Sequence, residues 1–352
     1  MEDKLSDVEL WQKFEDERLE YEGYCNKIRK GLEDLDEKSG ERALWELVQN
    51  ARDMSSESRI KIELTDTNII FSHHGKPFDY TSFRALVKQD SAKDRNGADQ
   101  VGQYGTGFVT THTFNRLVYV SGPYVVKNGK ETIKGYVQVK DFELDRTLVD
   151  KEEGPKKMKE QLEKVKQFWK GDLLHEISDD ATSFRYDLTP LQIRNVSEQL
   201  TSAIRLMPFV LVINSRIKEM EIYNHYTNEH FTLRKSDEQT RIPIENEGWQ
   251  AVTEEVFLTN HITGEKTTPV ICKSLQSGKG DVVIIPPYPD FCGSPADIPS
   301  LFLWFPLLGT ENFGVNFIFH SKRFYPVEKR NNIMLLVQLQ LSKRMVARIV
   351  SY

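Results

Sequence analysis

The stretch Glu46-Leu-Val-Gln-Asn50-Ala-Arg-Asp53 decides how this chain is read. Around it Leu44, Leu47, Val48 and Ala51 recur at i, i+3, i+4 and i+7, the spacing of an apolar helix face. On that helix Glu46, Asn50 and Asp53 stand at i, i+4 and i+7, so their polar groups share one face. A carboxylate, an amide and a second carboxylate aligned this way suit orienting water and completing an oxygen-rich Mg²⁺ shell beside phosphates. Further on comes Val101-Gly-Gln-Tyr-Gly105-Thr-Gly-Phe108, a glycine-rich loop suited to phosphate. Neither segment indicates a nucleotide site alone; together they do.

Working outward, 352 residues suffice for a substantial core and a prior of two domains. A net charge of −6 gives no global basic footprint for nucleic acid. No apolar run in the sequence approaches the ~20 residues needed to span a bilayer. The acidic start, Met-Glu-Asp-Lys-Leu-Ser-Asp, lacks the basic-then-apolar pattern of a secretory signal. Cys25, Cys272 and Cys292 are odd in number and far apart, giving neither a disulfide framework nor a zinc spacing. A reducing cytoplasm is the expected compartment. Ile333 to Tyr352 reads as an apolar-striped helix with no cap, which suggests that the chain continues or packs on something else.

The elements expected from the pattern begin with a helical arm over 1–38. After the helix bearing Glu46, Arg59–Leu64 alternates as a strand, and Ile69–Ser72 is a second strand running into His73-His74-Gly75-Lys76-Pro77. Tyr80–Val87 is a short helix, Lys88–Asp99 a polar loop suited to a lid, and Phe108–Phe114 a helix. Strands are expected at Leu117–Val120 and Gly135–Val139, around a hairpin turn at Lys127-Asn-Gly-Lys. A charged helix follows over 150–170, then a strand Ala181–Leu188, a helix Leu191–Leu206 and a buried strand Phe209–Asn214. From about 215 strands and turns dominate, which places a domain boundary there. Phe302, Trp304, Phe305, Phe317 and Phe319 alternate as strand interiors do. Adjacent histidines on an extended segment point apart, so His73 and His74 do not read as a zinc pair.

A Glu-x-x-x-Asn-x-x-Asp helix, a strand ending in a glycine turn, a lid and a Gly-x-x-Gly-x-Gly loop, in this order, resemble the GHKL ATPases. That superfamily includes gyrase, the ninety-kilodalton heat-shock chaperone, histidine kinases and the mismatch-repair MutL proteins. The match covers roughly residues 40 to 215; Thr182 on the later strand and Ser91-Ala-Lys93 in the lid fit it. Phe305-Pro-Leu-Leu-Gly-Thr-Glu and Pro326-Val-Glu-Lys-Arg-Asn look like the second domain of bacterial chaperone-like and sacsin-like ATP-binding proteins. The resemblance implies an α+β fold: a two-layer α/β sandwich of the Bergerat type with a mainly antiparallel sheet, then a second α/β, transducer-like domain. The domain plan is then a helical arm over 1–38, an ATP-binding domain over 39–214, the second domain over 215–335 and a helix over 336–352.

The resemblance also implies roles. Glu46 orients the attacking water, and Asn50 binds Mg²⁺ at the phosphates of ATP. Asp53 lies on the nucleotide side of the helix, and Thr182 near the adenine pocket. Gly102, Gly105 and Gly107 let backbone N–H groups approach the phosphates, with Thr106 between them and the helix from Phe108 adding its positive end. Lys93 or Lys88 neutralises phosphate charge when the lid closes. Lys322, Arg323, Lys329 and Arg330 read either as surface charge or as a source of a γ-phosphate contact, with Arg330 and Lys322 the candidates for a catalytic role.

One departure stands out. The family carries Asp-x-Gly-x-Gly where this chain has His73-His-Gly75-Lys-Pro77, so His73 replaces the carboxylate that accepts from the adenine amino group. A neutral imidazole still accepts one hydrogen bond. The expected activity is slow, Mg²⁺-dependent ATP hydrolysis that drives lid closure, conformational change or homodimerisation in a larger chaperone-like or defence-type protein. The alternative is a nucleotide-sensing scaffold that binds without significant turnover. A histidine kinase is disfavoured, because residues 1–45 hold no histidine. Neither a membrane nor nucleic acid is expected as a partner; further domains or a protein partner beyond 352 are.

Overall fold

The computed structural model describes residues 6–36, 39–90, 107–129, 132–177, 180–244, 248–264, 270–285, 298–311 and 317–324. The chain forms two compact units, Met1–Leu200 with Met220–His230, and Thr201–Glu219 with Phe231–Tyr352. The chain therefore leaves the first unit, returns to it for residues 220–230 and leaves again, where the sequence suggests a single boundary near 215.

The first unit is mixed α/β with a mainly antiparallel sheet. Its elements begin with α1 (Asp7–Glu33), α2 (Ser39–Met54), β1 (Ser58–Leu64), β2 (Asn68–His74) and α3 (Tyr80–Lys88). A 3₁₀ helix over Gly107–Thr113 precedes β3 (Leu117–Asn128), β4 (Thr132–Asp145), α4 (Gly154–Gln167) and β5 (Ala181–Asp187). α5 (Pro190–Ile213) and β6 (Ile217–Asn224) follow, with their residues 201–219 belonging to the second unit. The strand order is β6-β1-β2-β5-β3-β4. β2 pairs antiparallel with both β1 and β5, and β3 pairs antiparallel with β4 and β5.

Alternation drives this arrangement. Ile60, Ile62 and Leu64 of β1, Ile69 and Phe71 of β2, and Phe184 and Tyr186 of β5 are buried, while intervening residues are less so. A strand points successive side chains to opposite faces, so one face is apolar and needs a helical cover. α2 supplies part of it: Ala43, Leu44, Leu47, Val48 and Ala51 are all buried. Burying such side chains contributes roughly 1.5–3 kcal/mol for each large one. α4 adds Met158, Leu162 and Val165, all buried.

Two expectations change here. The apolar run after Pro208 is not a strand, because α5 continues through Pro208 to Ile213. Proline removes one intrahelical donor, and the β-branched residues that follow favour strands. Burial overrides both: Met207, Phe209, Val210, Leu211, Val212 and Ile213 are all buried. Counted as one helix, α5 is also long and apolar enough to cross a bilayer, which the split reading hides; 67% of its apolar window is buried inside the fold, as in a core helix.

The second unit is strand-rich: β7 (Glu229–Ile244), β8 (Trp249–Asn260), β9 (Val270–Ser277), β10 (Val282–Ile285), β11 (Leu301–Leu303), β12 (Phe305–Pro306) and β13 (Ile318–His320). Their order is β12-β11-β13-β10-β9-β8-β7, with β11 and β13 parallel and the other printed pairs antiparallel. Trp249, Val283, Leu301, Leu307, Phe319 and Phe324 form its described apolar cluster, with Phe317 packed against it. Phe302 and Phe305 are buried as expected. Trp304 is not: it is half-buried, at φ 66°, a left-handed conformation that a bulky side chain rarely adopts. Its N–H donates to His320 Nδ1 at 3.1 Å, and its carbonyl accepts from Asn214 Nδ2 at 2.7 Å.

Candidate functional site

Helix α2 collects the site. Its apolar face is held in the core, which turns Glu46 towards the start of the 3₁₀ helix. A side chain on Gly107 would collide with the Glu46 carboxylate, so the glycine makes room for it. Glu46 is buried, and Asn50, one turn on, is half-buried. Asp53 is placed differently from a ligand facing open space. Its side chain is buried and receives Arg52 Nη1 at 2.9 Å.

The glycine turn after β2 meets the same helix end. Lys76 N–H donates to the Met54 carbonyl at 3.0 Å. A Cβ at Gly75 would lie 2.9 Å from that carbonyl oxygen, too close for any side chain. Gly75 therefore lets β2 and α2 approach.

His73 lies inside β2, buried, while His74 points outward to Asp180 with Nδ1 2.6 Å from Oδ1. The expected divergence of the two imidazoles is what strand geometry imposes. Burial pushes the His73 imidazole down to about 4, so it is neutral at physiological pH and has one ring nitrogen able to accept. Its cross-strand partner is Thr182, also buried. The His73 ring stacks 6.4 Å from Phe184, and Phe184 lies 5.4 Å from Phe108. A chain of contacts thus links His73 and Thr182 to the 3₁₀ helix that carries Gly107.

Gly122 belongs with these residues, though the sequence reading passed over it. At φ 153° it sits beside a register shift of β3, and a Cβ there would come within 3.0 Å of Thr182 Oγ1. A lone glycine inside a strand pattern is a signal of such close approach.

Lys88 has protein partners for its charge. Its ammonium is buried against α1, 2.8 Å from Glu20 Oε1 and 3.0 Å from Tyr24 Oη. The physical reason is position: Lys88 ends α3 on the side covered by α1, where an unpaired ammonium would be costly. Lys27 of α1 reinforces the same junction through the Gln89 carbonyl and Asp90, both at 2.8 Å. Arg146, fully buried, donates to the Leu86 and Val87 carbonyls at 3.2 and 2.6 Å. Cations at the last carbonyls of a helix are favourably placed.

Lys322 lies in the second unit, its Nζ 4.9 Å from the Trp304 ring centroid and its stem against Gly280. Next to it Arg323 Nη2 reaches Asp281 Oδ2 at 2.7 Å. Lys93, Gly102, Gly105, Thr106 and Arg330 lie outside the described residues. Among the described residues no group of three or more His, Cys, Asp or Glu side chains is arranged to hold a metal ion. A cation shell here would need oxygen from Asn50 completed by a ligand's own oxygens.

Comparison with known proteins adds little. No protein-family model matches the chain, and no curated protein matches it. One solved structure, described as the crystal structure of the N-terminal domain of a DNA repair protein, aligns over 90% of this chain and 88% of that one. The identity is 9% and the TM-score 0.34, too low to carry an argument.

Proposed function

We propose that the first unit binds ATP with Mg²⁺ and hydrolyses it slowly, using a Bergerat-type arrangement built on α2. The observation that supports this reading is the seat of Glu46 against Gly107. It joins the candidate general base to the end of the glycine loop, which lies far from it in sequence. Asn50 on the next turn fits as an oxygen donor for Mg²⁺, a hard cation that prefers oxygen and usually keeps ligand phosphates in its shell. The bound cation would neutralise phosphate charge.

In this mechanism the Glu46 carboxylate accepts a proton from a water aligned with the γ-phosphorus. The water oxygen bonds to phosphorus as the bond to the β–γ bridging oxygen breaks, giving ADP and phosphate. His73, neutral and buried, offers a nitrogen acceptor to the adenine amino group beside Thr182. An imidazole with a depressed pKa keeps that capacity down to mildly acidic pH.

Glu46→Ala tests the assignment. Calorimetry should show ATP binding within about threefold of wild type, while single-turnover hydrolysis falls by about 10²–10⁴. Unchanged hydrolysis in that variant would remove Glu46 from the chemistry. A wild type that binds ATP without turnover would instead make the unit a nucleotide-sensing scaffold.

A further inference from the structure

The buried face of the first unit's sheet is laid down in cross-strand rows. Ile62, Phe71 and Phe184 stand side by side across β1, β2 and β5, with Val120 of β3 next in line. All four are buried and hydrocarbon. The next row changes character. Ile60, His73 and Thr182 stand side by side, and Gly122 follows on β3 against Thr182. Two buried polar side chains and a glycine thus border an aromatic step made by Phe71 and Phe184. Buried polar groups call for hydrogen-bond partners. His73 Nδ1 lies 3.5 Å from the His74 carbonyl, beyond the usual N–H···O range of roughly 2.7–3.2 Å. Among the described residues nothing bonds to His73 Nε2 or to the Thr182 hydroxyl.

We propose that this row meets the six-position of a purine without preferring amino to oxo, so that the site takes 6-oxopurine nucleoside triphosphates as well as ATP. The inference rests on the nucleotide reading above and concerns only which base is taken. A 6-aminopurine presents a donor at that position and needs an acceptor; a 6-oxopurine presents an acceptor and needs a donor. A carboxylate can only accept, so it tells the two apart. A neutral imidazole has one N–H and one bare nitrogen, and exchanging them turns Nε2 from acceptor to donor. The His74 carbonyl is too distant to fix the proton on Nδ1, so neither tautomer of His73 is locked. The Thr182 hydroxyl also donates or accepts, rotating to suit. Strong discrimination by hydrogen bonding arises where the wrong ligand leaves a buried group unpaired. With these two side chains neither purine does so.

Calorimetry of the full chain with ATP and with inosine triphosphate, each with Mg²⁺, isolates this position. Inosine carries the 6-oxo group without the 2-amino group of guanine. Wild type should bind the two within about tenfold of each other. His73→Asp should move the ratio towards ATP by about tenfold or more, because a carboxylate only accepts. His73→Asn, whose amide both donates and accepts, should stay close to the wild-type ratio. Thermal melting of each variant checks that the first unit still folds. A wild type that favours ATP by more than about tenfold overturns the proposal. So does a folded His73→Asp with the wild-type ratio, or a folded His73→Asn as selective as His73→Asp. ATP bound with inosine triphosphate rejected removes this inference and leaves the nucleotide reading intact. A chain that binds neither removes the nucleotide reading itself, which separates the two claims.

Discussion

Glu46 in the first unit and Asp281 in the second are both buried carboxylates, and they are buried in different ways. Asp281 is enclosed by its own neighbours. Ser321 Oγ donates at 2.7 Å, Arg323 Nη2 at 2.7 Å and Ser277 Oγ at 3.4 Å. Its charge joins the β9–β10 turn to the segment after β13. Glu46 instead fills the space that a side chain at Gly107 would need, so its seat depends on a glycine. A carboxylate saturated by hydroxyls and a guanidinium is a joint of the fold. One that needs a glycine for room, on a helix that places an amide one turn away, fits chemistry. Burial alone does not separate the two.

The largest expected effect falls on Gly107. The atom that a new methyl would meet is the end of the flexible Glu46 side chain, so Gly107→Ala should leave the fold standing while the carboxylate moves. Displacing a catalytic group by about 1 Å can cost about a hundredfold. Hydrolysis should drop by that order with the melting temperature nearly unchanged; equal loss of both would make Glu46 a packing residue like Asp281.

An acid titration comes next. Burial pushes His73 down to about 4 and His112 down to about 3, against roughly 6.5 for a free imidazole. Below pH 6.5 the unfolded chain takes up protons that the folded chain refuses. Stability is therefore present above that pH and is lost as pH falls towards 4. Each group should cost about 1 kcal/mol by pH 5.5, at roughly 1.4 kcal/mol per pKa unit. Urea unfolding at several pH values should show this slope, and His112→Gln should remove about one proton from it. A variant with the wild-type slope would show that His112 is not a buried neutral group.

The smallest effect belongs to the closed cluster. Asp281→Asn keeps the shape and removes the charge that Arg323 and Ser321 address, which should cost about 1 kcal/mol. Because this carboxylate is structural, ATP hydrolysis should be unaffected once the protein is folded. A specific loss of turnover with normal stability would erase the contrast with Glu46.

Much of the first unit is legible in the sequence because its signals are local. The period of α2, the alternation of β1, β2 and β5, and the charged α4 stripe each report a face that must be buried. The extent of α5 was not legible, since Phe209-Val-Leu-Val-Ile after a proline favours a strand locally and only its surroundings make it helix. Lys88 shows the same limit at the site. Its place beside a lid suggests phosphate, yet its ammonium is claimed by Glu20 and Tyr24, more than sixty residues earlier in the chain. Gly122 carried a visible signal, a glycine inside a strand, but its meaning depends on Thr182 from another strand.

The sequence by itself determined which residues could share a face: Glu46 with Asn50, His73 opposed to His74, Trp11 with Phe14. Helix and strand periods are properties of the backbone and need no partner. Only the tertiary structure decided which of those faces meet. It placed Gly107 against Glu46, seated Gly75 on the end of α2, paired Lys88 with Glu20 and left the first half of α1 uncovered. Those outcomes depend on which distant segments exclude water from each side chain, and no local period encodes that.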